Sequence, residues 1–323
     1  MENRTAVGLF LALVVTRPAA ALNVRALSKS GRGVRVRTIS AAATAATRVQ
    51  TTLVDVDANL LHPDLSDDVE HHIQMASSVG VTQFVVPGST LDDSRLALEL
   101  ARRKPDVIFP TAGVHPYHVE ECGSIENAMA RIANLAALKE VRCVGECGLD
   151  YSKGFPPAEL QVPWFESQVE LACKLKKPLF LHERDAFDDF MEVLRRYDAS
   201  HSLPPCLVHC FTGQDQELAA YVEMGFFISV AGGICREKSG RALREAVKRV
   251  PLDKLMVETD APYLGFNGCR KGHSQPKKQA RGNPNVPSAL PSVVRVLATC
   301  IGSSFDEVAK ATADNSREFF GIT

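Results

Sequence analysis

Two carboxylates and two histidines stand at the ends of four β-rich segments of the chain: Glu146, His182, His209 and Asp260. Acidic side chains are rarely buried without a partner, and a divalent cation provides one. Imidazole with carboxylate suits Zn²⁺ or Mn²⁺, whereas Mg²⁺ prefers more oxygen ligands. One such histidine alone would more often be a hydrogen-bonded structural residue. The four residues as a set predict the ligands of a metal-dependent hydrolase.

The chemistry of such a site assigns roles to its carboxylates. A bound divalent metal lowers the pKa of a water molecule, so that hydroxide is supplied at neutral pH. Asp260 and Glu146 are the predicted catalytic residues, and Asp260 is the candidate to accept the proton of that water. Glu258 can orient the water, although a role within the barrel layers is the stronger interpretation. Asp57 and Asn59 follow the first strand, and Asp57 is a further candidate oxygen ligand.

Basic and polar residues near the same strand ends predict an anionic substrate. His115 and Arg184 can hold its anionic group, although Arg184 can instead pair with Asp185. The interval between Asp260 and Asp306 has no acidic residue, and it contains Lys277 and Lys278. A basic loop beside a metal favours a polyanion such as a phosphodiester. The alternative is a solvated loop whose lysines serve only solubility.

Short β-rich segments alternate with amphipathic helical segments from Thr52 onward, which predicts parallel strands joined by helices. Eight strands are predicted, at Thr52–Val56, Thr82–Val86, Val107–Gly113, Cys143–Gly148, Pro178–Leu181, Cys206–Cys210, Phe226–Val230 and Lys254–Glu258. Nine helices are predicted, at Leu65–Ser78, Asp92–Arg103, Ile125–Leu138, Glu159–Lys174, Ala186–Arg196, Gln216–Glu223, Gly240–Val250, Ser288–Cys300 and Phe305–Phe319.

The positions of the polar residues favour a closed (β/α)8 TIM barrel over a wide open sheet. All of them follow or end strands, and the carboxyl ends of barrel strands converge on one mouth. In an open sheet the same residues would be spread along an edge. Alternation along the strands predicts that Glu146 and His209 face the barrel axis. Their neighbours Cys143, Cys147, Cys206 and Cys210 would then face the helices as small hydrophobic residues.

The first 51 residues differ in composition from the rest and are predicted to be a targeting leader. A short apolar run, Val7–Val15, precedes a segment rich in Arg, Ser, Ala and Thr. This is the composition of a signal core followed by a transit peptide, which predicts a plastid or mitochondrion. A disordered tail and a cytoplasmic protein are the alternative. No apolar run is long enough to span a bilayer, so no membrane partner is expected.

The net charge restricts how the remaining body can interact with nucleic acid. Residues 1–52 contain eight basic residues and one acidic residue, within a chain of 37 basic and 38 acidic residues. The body is therefore acidic, which argues against non-specific coating of nucleic acid. An enzyme that grips phosphates locally remains compatible with this charge.

Five ordered motifs resemble those of the TatD family of metal-dependent deoxyribonucleases. They are Thr111-Ala-Gly-Val-His-Pro116, Gly145-Glu-Cys-Gly-Leu-Asp150, Leu181-His-Glu-Arg-Asp185, Val208-His-Cys-Phe-Thr-Gly213 and Glu258-Thr-Asp-Ala-Pro-Tyr-Leu264. The similarity covers about Leu53 to Gly321. It implies an amidohydrolase-type barrel, one or two divalent ions (Mg²⁺, Mn²⁺ or Zn²⁺), and 3′-to-5′ exonuclease or DNase activity on DNA. It also implies that Glu146, His182, His209 and Asp260 are the metal ligands.

Two departures from the family pattern leave alternatives open. Many members have His-x-His after strand one, whereas this chain has Asp57 and Asn59, like a TatD subgroup that lacks the histidine pair. Asn285-Val-Pro287 stands where the family usually has Asn-Glu-Pro, which bears on loop anchoring. A hydrolase of the same fold acting on an ester, amide or aminoacyl bond is the alternative function. A barrel that only binds its ligand is a distant third.

Overall fold

The computed structural model describes residues 52–200, 202–273 and 284–322. The predicted leader, residues 1–51, lies outside the described residues. So do Lys277 and Lys278, the two predicted substrate-binding lysines. The fold described below lies within the compact unit Val49–Thr323.

All eight predicted strands are present. They are β1 (Leu53–Asp55), β2 (Val81–Val86), β3 (Ile108–Pro110), β4 (Val144–Asp150), β5 (Leu179–Arg184), β6 (Cys206–Val208), β7 (Phe227–Val230) and β8 (Leu255–Val257). Strands β4 and β5 run further than predicted, to Asp150 and Arg184, because their pairing continues from Cys147–Leu181 to Asp150–Arg184. This extension brings four polar residues into the paired strands, namely Asp150, His182, Glu183 and Arg184.

The described residues also form nine α-helices. They are α1 (Val69–Ser77), α2 (Leu91–Arg103), α3 (Ile125–Ala136), α4 (Ala158–Leu175), α5 (Phe187–Ala199), α6 (Asp215–Glu223), α7 (Arg241–Ala246), α8 (Leu290–Ile301) and α9 (Phe305–Phe320). Local sequence sets several of their ends. Ser304 and Glu307 form a capping box at the start of α9, and such a pair satisfies two amide groups that the helix leaves free.

The strands pair in parallel and in sequential order, in two groups that meet at both sides. One group has the order β1-β2-β3 and the other β4-β5-β6-β7-β8. A parallel bridge between Ala112 and Val144 joins the first group to β4, and a bridge between Ala58 and Ala261 joins β8 back to β1. The amide of Val56 also donates to the carbonyl of Val257 at 3.2 Å. The eight strands therefore form a closed ring, as the (β/α)8 barrel prediction requires.

Apolar side chains pack on both sides of this ring of strands, in an outer layer and in an inner cluster. The outer layer packs the helices against the sheet. The inner cluster takes residues from the strands themselves, namely Val54, Val56, Val85, Phe109, Cys143, Phe180, Leu207 and Met256. Phe319 and Phe320 of α9 belong to the same inner cluster, and the ring centroids of Phe180 and Phe320 lie 6.3 Å apart. The C-terminal helix thus closes the amino end of the barrel with aromatic rings.

No single helix among the described residues is both long enough and apolar enough to cross a membrane. Pro287–Ile301 and Phe305–Phe320 pass that test of length and composition only as a pair, across a bend of 110°.

Candidate metal centre

Three imidazoles converge on one carboxylate oxygen at the carboxyl end of the barrel. Glu146 Oε1 lies 2.9 Å from His209 Nε2, 3.2 Å from His182 Nδ1 and 3.2 Å from His115 Nε2. His182 Nδ1 and His209 Nε2 are themselves 3.4 Å apart. Glu146 and His209 are buried, whereas His115 and His182 keep part of their surface open. Below them the ring of Phe180 stacks on His209 with centroids 4.9 Å apart, so the floor of the site is apolar.

Two glycines allow β4 to approach β5 closely enough for this convergence. Gly145 has φ 134°, and a Cβ there would lie 2.2 Å from the carbonyl oxygen of Phe180. Gly148 has φ 151°, and a Cβ there would lie 1.8 Å from the carbonyl oxygen of His182. Only glycine fits such positions. The glycines on either side of Glu146 therefore allow its strand to lie directly against the strand of His182.

A second group of carboxylates lies beside His209, on the side away from Glu146. His209 Nδ1 is 3.2 Å from Asp57 Oδ2 and 3.6 Å from Glu258 Oε1. Ser229 Oγ donates to the other oxygen of Glu258 at 2.6 Å. Asn59 Nδ2 donates to Asp57 Oδ1 at 3.1 Å and to Asp260 Oδ1 at 3.3 Å. The amide of Asn59 therefore links two carboxylates that would otherwise repel each other.

The protonation of these groups follows from burial and from their close charges. Burial by itself would raise the pKa of Glu146, but the imidazoles of His115 and His209 hold it well below its usual range. Burial raises the pKa of Asp57 to about 8, although His209 opposes the shift. Burial and the charge of Asp57 raise the pKa of Asp260 well above its usual range. Without a cation, the site thus favours one ionised carboxylate and protons on its neighbours.

The donor atoms fit a divalent cation. Two sets of three side chains place their ligand atoms within 4.8 Å of one another: His115, Glu146 and His182, and Asp57, Glu146 and His209. Asp57 Oδ2, His209 Nδ1 and Glu258 Oε1 are buried and form no hydrogen bond of acceptable geometry. Buried polar atoms without a hydrogen bond are costly, and a cation would compensate the carboxylate oxygens. The nitrogen and oxygen donors are those expected of a Zn²⁺, Mn²⁺ or mixed-ligand Mg²⁺ site.

The structure brings most of the predicted site residues together, some at the centre of the group and others at its edge. Glu146, His182 and His209 form the centre with His115, which was predicted only as a substrate-binding residue. Asp260 lies at the edge of this group, where it contacts Asn59 and Cys210.

Arg184 stands apart from this centre. It is exposed at the end of β5, and its side chain forms no hydrogen bond or ion pair with the other described residues, Asp185 included. It lines a cavity of about 550 Å³ with several acidic side chains, among them Glu183, Asp185, Asp215, Glu217 and Glu245.

The predicted orientation of two cysteines is wrong. Cys143 packs inside the barrel with Phe180 and Met256, because the register of β4 shifts between Val144 and Cys147 and resets the alternation. Cys210 has φ 47°, a turn that interrupts the strand geometry, and its thiol points to Asp260 Oδ2 at 3.7 Å. Simple alternation fails at both places, since it holds only for regularly paired strands.

Two further polar residues contribute to the site without having been assigned a role from the sequence. Asp150, the last residue of β4, lies 3.0 Å from His182 Nε2 through Oδ2. Asn59 bridges Asp57 and Asp260. The signal for Asp150 was its place in the motif of Glu146, four residues further along a strand. The signal for Asn59 was its spacing of two residues from Asp57, which places both side chains on one face of an extended segment.

Comparison with known proteins shows the family to which this chain belongs. The family model described as TatD related DNase matches residues 54–321. The chain belongs to the TatD-related DNase family. It is 36% identical to the 3′-5′ ssDNA/RNA exonuclease TatD of Erwinia billingiae, over 84% of this chain and 99% of that protein. It is 37% identical to the protein of the same name in Erwinia amylovora, over 84% of this chain and 100% of that protein.

A solved structure of the TatD family has the same fold. The TatD homologue YJJV from Escherichia coli K12 superimposes with a TM-score of 0.73 at 28% identity, over 84% of this chain and 98% of that one. Family membership confirms the predicted barrel class and the predicted enzyme class, a hydrolase that acts on phosphodiester bonds.

The second departure from the TatD family pattern lies at Val286, beside the buried Asn285. Asn285 is buried, and its Nδ2 donates to the carbonyl of Thr259 at 2.8 Å. Its amide also donates to the carbonyl of Pro262 at 2.8 Å. Val286, which stands where the family usually has Glu, is buried in an apolar cluster with Ala261 and Phe266. The asparagine therefore anchors the loop beside the centre, and the valine adds apolar packing.

The pKa of Asp57 predicts how the stability of the metal-free protein changes with pH. An aspartate has a pKa of about 3.9 in an unfolded chain, and burial raises that of Asp57 to about 8. The folded state therefore holds this proton more tightly than the unfolded chain does. The contribution of protonated Asp57 to the free energy of unfolding is fully present below about pH 4 and is lost as pH rises to about 8. We expect metal-free Asp57→Asn to have a higher Tm than wild type at pH 8.5, and no such advantage at pH 4.5.

The measurement is thermal unfolding of both proteins in EDTA across this pH range. Added Mn²⁺ should raise the wild-type Tm more at pH 8.5 than at pH 5, because the cation then replaces the missing protons. Parallel pH profiles of the two metal-free proteins would contradict the assignment of a raised pKa to Asp57.

Proposed function

We propose that this chain is a divalent-metal-dependent exonuclease that removes nucleotides from the 3′ end of single-stranded DNA. The observation that carries the proposal is the convergence of three imidazoles on Glu146 Oε1, beside buried carboxylate oxygens that lack hydrogen bonds. Membership of the TatD-related DNase family supports phosphodiester hydrolysis, and relatives named 3′-5′ ssDNA/RNA exonuclease support the polarity.

In this proposal Glu146, His182 and His209 hold the metal, with Asp57 and Asp260 as further oxygen ligands. A bound metal would act as a Lewis acid towards the phosphoryl oxygens and would lower the pKa of a water molecule. Asp260 takes the proton of the attacking water. Among the described residues, its side-chain hydrogen bonds come from Asn59 Nδ2 to Oδ1 at 3.3 Å and from the weak Cys210 thiol to Oδ2 at 3.7 Å. A carboxylate this lightly engaged keeps lone pairs free for a proton.

Two hydrogen-bond donors are proposed to contact the substrate, the neutral imidazole of His115 and the cationic guanidinium of Arg184. His115 Nε2 faces the centre, and its ring keeps part of its surface open to solvent. Burial lowers the pKa of His115, which favours its neutral form. Its Nδ1 accepts from the amide of Tyr117 at 3.1 Å, so the N–H of the neutral ring lies on Nε2, which faces the centre. Arg184, at the end of β5, is exposed and forms no ion pair with the other described residues. Its guanidinium is suited to bind a phosphate in two-point fashion.

The test is hydrolysis of single-stranded DNA labelled at the 3′ or the 5′ end, with Mg²⁺, Mn²⁺ or Zn²⁺ and with EDTA. We expect immediate release of labelled mononucleotide from the 3′-labelled strand and a ladder of shortened products from the 5′-labelled strand. EDTA should abolish both. Immediate mononucleotide release from the 5′ label would contradict the polarity. The same reaction with RNA determines whether the sugar is discriminated.

The same experiment separates the other two functions considered from the sequence. Metal-dependent hydrolysis of carboxylic ester, amide or aminoacyl substrates without release of nucleotides would favour a hydrolase of another bond. Tight Mn²⁺ binding without hydrolysis of any of these substrates would favour a binding module.

A further inference from the structure

Asp150 is a buried carboxylate that contacts the metal centre from behind His182. It is the last residue of β4 and is 1% exposed. Its Oδ2 lies 3.0 Å from His182 Nε2, and its Oδ1 accepts from the amide of Ser152 at 2.8 Å. Both oxygens of Asp150 therefore have partners, one two residues further along the chain and one on the neighbouring strand β5.

The other nitrogen of His182 faces the centre. His182 Nδ1 lies 3.2 Å from Glu146 Oε1 and 3.4 Å from His209 Nε2. An ionised carboxylate can only accept, so Asp150 requires the proton of His182 on Nε2. A neutral imidazole carries one N–H, and its lone pair on Nδ1 is then directed at the site where Glu146 and His209 meet. The carboxylate thus sets both the tautomer and the direction of the ring.

Asp150 is in turn held by a buried glutamine of helix α4. Gln161 is 0% exposed; its Oε1 accepts from the amide of Asp150 at 2.8 Å, and its Nε2 donates to the carbonyl of Asp150 at 2.6 Å. Seven residues later on the same helix, Gln168 makes the same two-point contact with Val114, at 2.7 and 3.0 Å. Val114 directly precedes His115. One helix therefore fixes the backbone beside two imidazoles of the centre.

We infer that Asp150 is a positioning residue that holds His182 with Nδ1 towards the metal, and that Gln161 fixes Asp150 for this task. The inference rests on the proposed function only in its need for a metal at His182. Hydrogen-bonded partners of ligating histidines typically change metal affinity 10- to 100-fold when they are replaced.

The experiment compares Mn²⁺ binding by the full-length wild type and by Asp150→Asn, using calorimetry without nucleic acid. Asparagine offers one acceptor oxygen, whereas the Ser152 amide and the His182 Nε2–H both require one. One of the two hydrogen bonds is therefore lost, and we expect the Kd for Mn²⁺ to rise about 10- to 100-fold. Asp189→Asn is the matched control. It alters a carboxylate that accepts from Tyr151 Oη at 2.6 Å, away from the imidazoles, and should leave the Kd unchanged.

A second measurement needs no substitution and covers the case in which Asp150→Asn does not fold. In the Zn²⁺-loaded wild type, ¹⁵N NMR of the imidazoles should show His182 with its proton on Nε2. A proton on Nδ1, or equal Mn²⁺ affinity of wild type and Asp150→Asn, would overturn the inference. Weaker Mn²⁺ binding by Asp150→Asn in a protein that hydrolyses no nucleic acid would support the positioning role while refuting the proposed nuclease. Absence of Mn²⁺ binding by the wild type would overturn both.

Discussion

Replacing Glu146 with glutamine is expected to lower kcat/KM for DNA hydrolysis by about 1,000-fold, or about 4 kcal/mol of transition-state stabilisation. Glu146 Oε1 is the single atom that all three imidazoles of the centre approach, at 2.9 to 3.2 Å. An amide in its place removes the negative charge and can turn an N–H towards these rings. Both changes weaken the binding of a cation, so the loss should appear as a higher Mn²⁺ requirement and as a lower kcat at saturating Mn²⁺.

The measurement is steady-state hydrolysis of single-stranded DNA across a Mn²⁺ titration, with calorimetric Mn²⁺ binding in parallel. Glu183→Gln is the control, because Glu183 is also a strand-end glutamate with fixed partners. It accepts from Tyr221 Oη at 2.9 Å and from the amide of Ala186 at 2.9 Å, outside the group of three imidazoles. A decrease of less than tenfold for Glu146→Gln would exclude Glu146 as a principal ligand.

Replacing Asp260 with asparagine should lower kcat by about 1,000-fold, within the range that general acid–base catalysis contributes. Unlike Glu146, Asp260 lies beside the imidazole group, and its contacts there are with Asn59 and Cys210. The amide cannot accept a proton from water, and it weakens one proposed oxygen ligand, but it leaves the ligands Glu146, His182 and His209 in place. Mn²⁺ affinity should therefore change much less than kcat, which separates this variant from Glu146→Gln.

Asp185→Asn is the matched control for this variant. Asp185 and Asp260 both adopt positive φ, 55° and 53°, and Asp185 is exposed directly after β5. Asparagine tolerates this backbone conformation as well as aspartate does. The control should retain activity, so a loss confined to Asp260→Asn reports on its carboxylate. Equal losses of Mn²⁺ affinity and kcat in Asp260→Asn would indicate a ligand without a role in proton transfer.

The order of strands and helices could be predicted from the sequence because each element carries its own hydrophobic periodicity. The convergence of Glu146, His182 and His209 followed from the rule that strand ends meet at one mouth of a barrel. The finer geometry depends on departures from regularity. The register shift in β4 placed Cys143 inside the barrel, and the positive φ of Cys210 turned its thiol to Asp260.

The contact between Asp150 and His182 depends on a different property. It requires β4 and β5 to remain paired beyond the end that hydrophobic residues indicate, since Gly148, Leu149 and Asp150 pair with His182, Glu183 and Arg184. Backbone hydrogen bonding extends these strands, and side-chain hydrophobicity does not report it. The role of His115 was also incomplete in the sequence, because the distance from its ring to Glu146 depends on how tightly the strands close.

The aromatic residues that close the amino end of the barrel restrict how substrate can enter and product can leave. Phe180 lies beneath His209, and Phe319 and Phe320 fill the amino end behind it. The described barrel is therefore open only at its carboxyl end. A DNA strand therefore cannot pass through the barrel, and we expect the 3′ end and the released nucleotide to share the opening at its carboxyl end. Product and substrate should therefore compete for the same opening. We expect a nucleoside monophosphate to inhibit the enzyme competitively with respect to single-stranded DNA.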